Sequence, residues 1–317
     1  RAAVFLTSFS SVCQVIASAL FAYAGLLAIS GQPWVHSFFS SAALGGFDIG
    51  ADILSGIFLV ILGIVGFSAG LFSLGYQQHL TSRWNFHWLP LLNGVFIASM
   101  AGVFVAKSVI VFLIFWEMMA FASFGLVIFE SKHERQRRTG FIYIAMTHIA
   151  AGFLFFALLW PTMKANQGMS FEAWQAGMAI LSPWARNIVY ALLIIGFGTK
   201  AGMIPLHIWL SRAHPQAPSN VSALMSGVMI KTGVYGILRF MALPYTSAYE
   251  ILETRLGLRV RLLGSVIFLL TRLFWMALII DITARKILIP ILHWDEKWTP
   301  YVAIVIGLVT LAYTFLG

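Results

Sequence analysis

Three ionisable residues stand where an apolar sequence should exclude them. Glu117 occurs in VFLIFWEMMAFASFG, Lys200 in GFGTKAGMIPLHIWL and Lys231 in SALMSGVMIKTGVYG. A charge at mid-bilayer depth costs a few kcal/mol or more and commonly marks a path for ions or protons. Glu117 lies about ten residues into the apolar run that starts at Lys107, which at ~1.5 Å per residue is the middle of a ~30 Å hydrocarbon core. No cation neighbours it in sequence, so it must be neutral, hydrated or paired with another helix. The plainer alternative is an ion pair that only fixes packing.

Lys200 falls near the centre of a run that starts at Asn187. Gly196, Gly198 and Gly202 let other backbones approach, and Pro205 removes an amide donor, so the spacing predicts a broken helix beside a buried cation. A kinked packing helix with a snorkelling lysine is the alternative. Lys231 is central in the run Pro218 to Met241, where Ser222, Ala223, Ser226, Gly227 and Gly233 offer a small-residue packing surface. Imidazole can take and pass a proton near neutral pH. His148, deep in the run Phe141 to Trp160, is therefore a relay candidate, with a hydrogen-bonded packing histidine as the alternative. His207 joins the proton-path candidates beside the proline break, while Pro205 and His214 are gating or loop candidates. Capping and loop roles suit both His207 and His214 equally well.

No catalytic, cofactor-binding or metal-ligating residue is expected. Cys13 is the only cysteine, which excludes an internal disulfide, a cysteine-ligated iron-sulfur cluster and a CxxC pair. A single deep histidine argues against a transmembrane bis-histidine haem.

The elements that must position these groups are membrane helices. Of 317 residues 60% are apolar and only 10% charged, with a mean hydropathy of +0.89, outside the range of a soluble domain. The net charge of +9 sits between apolar runs, where lysine and arginine set topology, so nucleic-acid binding is discounted. Runs long enough to span cover Ala2 to Ser30, Ile53 to Gly75, Trp88 to Ala106, Lys107 to Phe129, Phe141 to Trp160, Asn187 to Leu210, Pro218 to Met241 and Tyr301 to Gly317. The expected fold is all-α, a polytopic bundle of roughly eight or nine spans. Ala2 to Ser30 reads as a spanning helix rather than a cleaved signal. The chain opens on Arg1, and is expected to start downstream of the true N-terminus.

The basic connector ESKHERQRRT belongs on the cytoplasmic side, and the connector Gly31 to Asp52, with no basic residue, outside. Alternation then leaves Arg1, Arg83 and Arg212 inside, and Lys107, Lys164, Arg186 and Arg239 outside. Lys107, Arg83 and Arg239 read as interfacial anchors, and Trp84, Trp88, Trp160 and Trp298 as an aromatic belt. Leu256 to His293, rich in arginine yet apolar, is about twice as long as the hydrocarbon core is thick, which favours a long lateral or strongly tilted helix.

The stretch GFGTKAGMIPLHIWLSRAHPQAPSNVSALMSGVMIKTGVYGILRF resembles the central signature of the antiporter-like subunits of respiratory complex I, Mrp-type antiporters and group 4 membrane-bound nickel-iron hydrogenases. KAGMIPLHIWL, RAHPQAPS and SALMSGVMIK are most similar to the large antiporter-like subunit of hydrogenase-4 and formate-hydrogenlyase complexes. The resemblance covers Ile53 to Leu243. It implies that Glu117 is the family's midmembrane glutamate, Lys200 its broken-helix lysine and Lys231 its connecting lysine, with the glutamate tuning Lys200 and the proton passing on through Lys231. Family members have about fourteen helices in two inverted repeats. No second broken helix follows Leu243, so the second repeat is expected to be missing from this chain.

The resulting organisation is a transmembrane segment and external loop in 1–52, an antiporter-like core in 53–243, and a lateral helix with a terminal anchor in 244–317. The function implied is proton translocation within a respiratory or hydrogenase-type redox complex of the prokaryotic inner membrane. This chain would hold no redox centre of its own. Membrane and peripheral partner subunits would carry iron-sulfur clusters, with nickel-iron in the hydrogenase case. An Mrp-like cation/proton antiporter and a non-transporting scaffold for a peripheral oxidoreductase are the rivals, and a quinone-site subunit is weaker.

Overall fold

The computed structural model describes residues 2–41, 45–83, 88–128, 134–241, 258, 262, 266, 270, 274, 277–292 and 294–316. The chain divides into two compact units, Arg1–Ala242 and Leu243–Gly317.

In the first unit, α1 (Ala2–Ile29) and α2 (Ile53–Arg83) pack along each other, joined by an antiparallel hairpin of β1 (Trp34–Ser41) and β2 (Gly45–Ala51). Within the connector Gly31 to Asp52 these two strands are tied to the helices by a bridge between Ile49 and Ala106. Then come α3 (Trp88–Val105), α4 (Val109–Val127), α5 (Glu134–Ala165), the short α6 (Phe171–Ile180) and α7 (Pro183–Ala201). Next is α8 (Ile208–Ala213), followed by a 3-10 turn, and α9 (Ser219–Leu224) runs through a π turn (Met225–Met229) into α10 (Ile230–Met241).

Among the described residues, six helical stretches are long and apolar enough to cross a membrane: Thr7–Ile29, Ile53–Tyr76, Trp88–Val105, Val109–Val127, Arg137–Ala165 and Ser219–Met241. The chain is an integral, multi-pass, all-α membrane protein with one small hairpin. α7 is not among the six, since Arg186 and Lys200 lie near its two ends.

Apolar side chains here face both lipid and neighbouring helices, so burial separates the two faces. Phe112 and Trp116 of α4, Phe171 and Trp174 of α6, Phe197 of α7 and Phe240 of α10 form one buried aromatic cluster. Gln14 joins three helices: its amide donates to the Gly66 carbonyl at 2.9 Å and its oxygen accepts from Asn93 at 2.7 Å. Such pairs satisfy polar groups that lipid cannot.

In the second unit, helix is described at 258, 262, 266, 270 and 274 and from 277 onward. A π turn (Thr283–Leu288) leads into α11 (Ile289–Leu292), and α12 (Thr299–Leu316) packs Val302 against the Ala284 and Ile289 cluster. Of the expected lateral helix Leu256 to His293, Arg259, Arg261, Arg272 and His293 lie outside the described residues. So do Trp84 and residues 130–133 of the basic connector.

Candidate functional site: buried ionisable groups in the helix bundle

Glu117 is the ninth residue of the nineteen in α4, so local geometry does place it mid-helix. Its partner comes from α5. Oε2 lies 3.2 Å from Nε2 of His148, and the other ring nitrogen, Nδ1, lies 3.1 Å from the Ile144 carbonyl. A carbonyl can only accept, so Nδ1 carries hydrogen. Nε2 then either carries a hydrogen toward an ionised carboxylate or accepts one from a protonated carboxyl. In both forms one proton lies between Glu117 and His148.

Lys200 is 2% exposed, yet it is not at the centre of its helix. The Ser182 hydroxyl accepts from the Ala185 amide and Pro183 opens the first turn, so α7 begins earlier than the apolar run suggests. It ends at Gly202, whose φ of 75° is the left-handed cap that glycine adopts without strain. Lys200 therefore occupies the last turn, where the negative end of the helix dipole favours a cation. The predicted break is present: the chain leaves α7 at Ala201 and resumes helix at Ile208. Gly233 of α10 lets that helix approach, since a Cβ there would meet the Phe197 carbonyl oxygen at 2.6 Å.

The lysine makes no ion pair with Glu117. Its Nζ donates to the Tyr143 hydroxyl at 3.3 Å and lies 5.6 and 6.0 Å from the ring centres of Tyr143 and Trp209. With that oxygen accepting, the Tyr143 hydrogen points to the Ser123 hydroxyl at 2.6 Å, and Ser123 donates to the Met119 carbonyl at 2.6 Å. A hydroxyl chain ending on a helix carbonyl positions the lysine; it offers no onward acceptor. Trp209 is fixed in turn by donating to the Thr199 carbonyl at 2.7 Å.

Lys231 is the second residue after the π turn, and its Nζ donates to the Ser226 carbonyl at 2.6 Å. π turns expose carbonyls that a regular helix would engage, and they recur at functional sites. His207 caps the start of α8 with Nδ1 buried and without a hydrogen-bond partner among the described residues, while His214 bonds the Ser222 hydroxyl and ties the turn to α9. Pro205, in the break itself, follows a cis peptide bond. Glu117 and His148 are thus brought together, Lys200 is joined to Tyr143, and Lys231 stands on its own turn. Among the described residues no three His, Cys, Asp or Glu side chains gather as a metal site requires.

Sequence reasoning missed a second cluster. Lys107 and Arg239, read as interfacial anchors, also share Asp52. Arg239 grips it through both terminal nitrogens at 2.6 and 2.8 Å, and Lys107 Nζ stands 3.1 Å away. Arg239 also donates to Ser55 and Tyr235, and Tyr235 to the Phe104 carbonyl. Burial alone pushes the Asp52 carboxyl up. The Arg239 hydrogen bonds, the Ser55 amide and the charges of Arg239 and Lys107 outweigh it and hold the carboxyl well below the usual carboxylate range. An isolated aspartate at the edge of an apolar run, opposite unpaired basic residues, was the available signal.

Comparison with known proteins adds a family. Residues 106–272, more than half of the chain and including Glu117, His148, Lys200, His207, Lys231 and Arg239, match the family described as NADH:quinone oxidoreductase/Mrp antiporter, TM. An uncharacterised protein of Mycobacterium tuberculosis is 39% identical over 218 residues, 68% of this chain and 32% of its own length. Hydrogenase-4 component B of Escherichia coli is 34% identical over 188 residues, 59% of this chain and 27% of its own. NADH-quinone oxidoreductase subunit M of Escherichia coli is 28% identical over 219 residues, 66% and 40%. The chain therefore spans 40% or less of each of these relatives. A structure of the membrane-bound sulfane sulfur reductase, an archaeal respiratory membrane complex, superposes with a TM-score of 0.62 at 27% identity, over 77% of this chain and 40% of that one. The Mrp complex of Dietzia sp. superposes with a TM-score of 0.60 at 20% identity, over 77% and 44%, a likeness of fold. A broken helix ending on a buried lysine, a glutamate paired in mid-helix and this match together place the chain in the NADH:quinone oxidoreductase/Mrp antiporter transmembrane family.

Proposed function

We propose that the chain is a proton-translocating, antiporter-like subunit of a respiratory or hydrogenase-type redox complex in a prokaryotic inner membrane. Its relatives' names, hydrogenase-4 component B and NADH-quinone oxidoreductase subunit M, point to such assemblies. In this reading the redox centres, iron-sulfur clusters and nickel-iron among them, belong to partner subunits.

The observation that carries the reading is the setting of Lys200. It is buried beside two aromatic rings, its hydrogen-bond acceptor is a neutral hydroxyl, and it has no carboxylate partner among the described residues. A lysine held this way has a charge state that depends on what comes near it, because an unpaired buried charge is costly. The Glu117–His148 pair supplies a proton that can be relocated, and the resulting change of charge on Glu117 alters the field at Lys200. Lys231, with its carbonyl partner, is the next station, and His207, with a free buried nitrogen at the helix break, connects the lysine end to the loop. The energy scale suffices: one charge crossing 100 mV involves ~2.3 kcal/mol.

The test is proton translocation by the reconstituted parent complex, wild type against Lys200→Ala, with redox turnover followed in parallel. Lost pumping with intact assembly supports the proposal; unchanged pumping moves the chain to a membrane scaffold. Sodium-coupled proton flux without redox turnover would instead identify an Mrp-like antiporter.

A further inference from the structure

Where α5 meets α8, a cavity of about 280 Å³ is lined by Arg138, Thr139, Ser211, Arg212, Pro215 and Gln216. No carboxylate lines it, and neither guanidinium has an ion-pair partner among the described residues. Two planar, permanently charged forks facing one space match the geometry of a phosphate group, which each can bind through paired N–H donors. Thr139, 7% exposed, adds a hydroxyl and Gln216 an amide, donors of the kind that hold a glycerol or ester oxygen.

The surface below the cavity decides which phosphate. Phe141 lies one turn from Arg138 on α5 and is 70% exposed, while Ile208 lies one turn from Arg212 on α8 and is 47% exposed. On both helices the basic residue comes at the end that opens on the loops, and the exposed apolar residue comes next toward the span. A soluble anion has no use for that apolar continuation, whereas an acyl chain does. The pocket also falls where the basic connector places the cytoplasmic end, the side on which basic pockets between helices hold anionic headgroups.

We propose that this cavity binds the phosphate headgroup of an anionic phospholipid, with its acyl chains along Phe141 and Ile208. The lipid then braces α8, the six-residue helix whose Trp209 packs over Lys200. The site stands on the cavity and its flanks, and holds whether or not Lys200 moves protons.

The test is native mass spectrometry on the purified, delipidated parent complex, given phosphatidylglycerol or phosphatidylcholine of the same chain length. Wild type is expected to retain one more phosphatidylglycerol per copy of this chain than R138Q/R212Q, whose affinity for it falls about tenfold or more as two charges are lost. The control pair K164Q/R186Q, at the far ends of α5 and α7, retains the wild-type number. Equal retention by wild type and R138Q/R212Q overturns the proposal. Equal retention of phosphatidylcholine reduces the site to an apolar groove and also overturns it. Displacement of the lipid by inorganic phosphate makes it a soluble-anion site, again against the proposal. If the double variant does not assemble, R138Q and R212Q decide singly, since each must lower retention.

Discussion

Glu117 meets His148, Oε2 to Nε2 at 3.2 Å, and the ring is turned so that Nδ1 faces the Ile144 carbonyl. The carboxylate therefore shares a proton with an imidazole on α5, while Lys200 is held by a hydroxyl from the same helix, that of Tyr143, five residues before His148. Replacing His148 by phenylalanine keeps a ring against Phe121, whose centre lies 4.8 Å away, and removes the second holder of the proton. His148→Phe should slow proton translocation about tenfold or more, equivalent to ~1.4 kcal/mol or more on the barrier. Vesicle acidification at equal redox turnover measures it, and a wild-type rate would remove His148 from the path.

Tyr143→Phe deletes only the oxygen that accepts from Lys200 and meets Ser123. Stability should drop by about 1–3 kcal/mol, the cost of leaving buried polar partners unpaired. Pumping should fall as well, because the lysine loses its fixed position. Thermal unfolding and proton flux on the same preparation check the two effects, and a variant that changes neither would show that the contact is incidental.

Asp52→Asn leaves Arg239 without its counter-charge, and Asp52 is partly solvated, so the loss should be about 1–3 kcal/mol rather than the full cost of a broken buried pair. The sign with pH follows from the lowered carboxyl. Its stabilising contribution is fully present above the ~3.9 of an unfolded aspartate and is lost progressively as pH falls from there to the lower folded value. The gap in melting temperature between wild type and variant should stay constant from neutral to mildly acid pH and narrow only in strong acid. A gap that closes near pH 4 would contradict the cluster as described.

Gly233→Val places a branched side chain where the Phe197 carbonyl approaches. Helices α7 and α10 must then separate, at about 1–3 kcal/mol for overpacking. Melting temperature reports this, and substitution at Gly307, where an added Cβ meets nothing, is the matched control.

Much of the plan was legible in the residues. Apolar run length gives the spans, because lipid cannot bond a bare backbone, and the charges left within those runs give Glu117, His148, Lys200 and Lys231 directly. Glycines and Pro205 announce the break, since local backbone chemistry causes it. The hairpin over Gly31 to Asp52 was not legible, because its two strands are held by pairing with each other and by a bridge to Ala106, contacts that a single apolar run does not announce. Pairings were not legible either. Glu117 with His148, Lys200 with Tyr143 and Asp52 with Arg239 join residues on different helices, and helix rotation and depth choose among many partners of suitable chemistry. The sequence by itself determined that charges would be buried and on which helices. Only the tertiary structure decided which groups share a proton and which merely hold one another in place, because that depends on a few ångströms set by packing between helices.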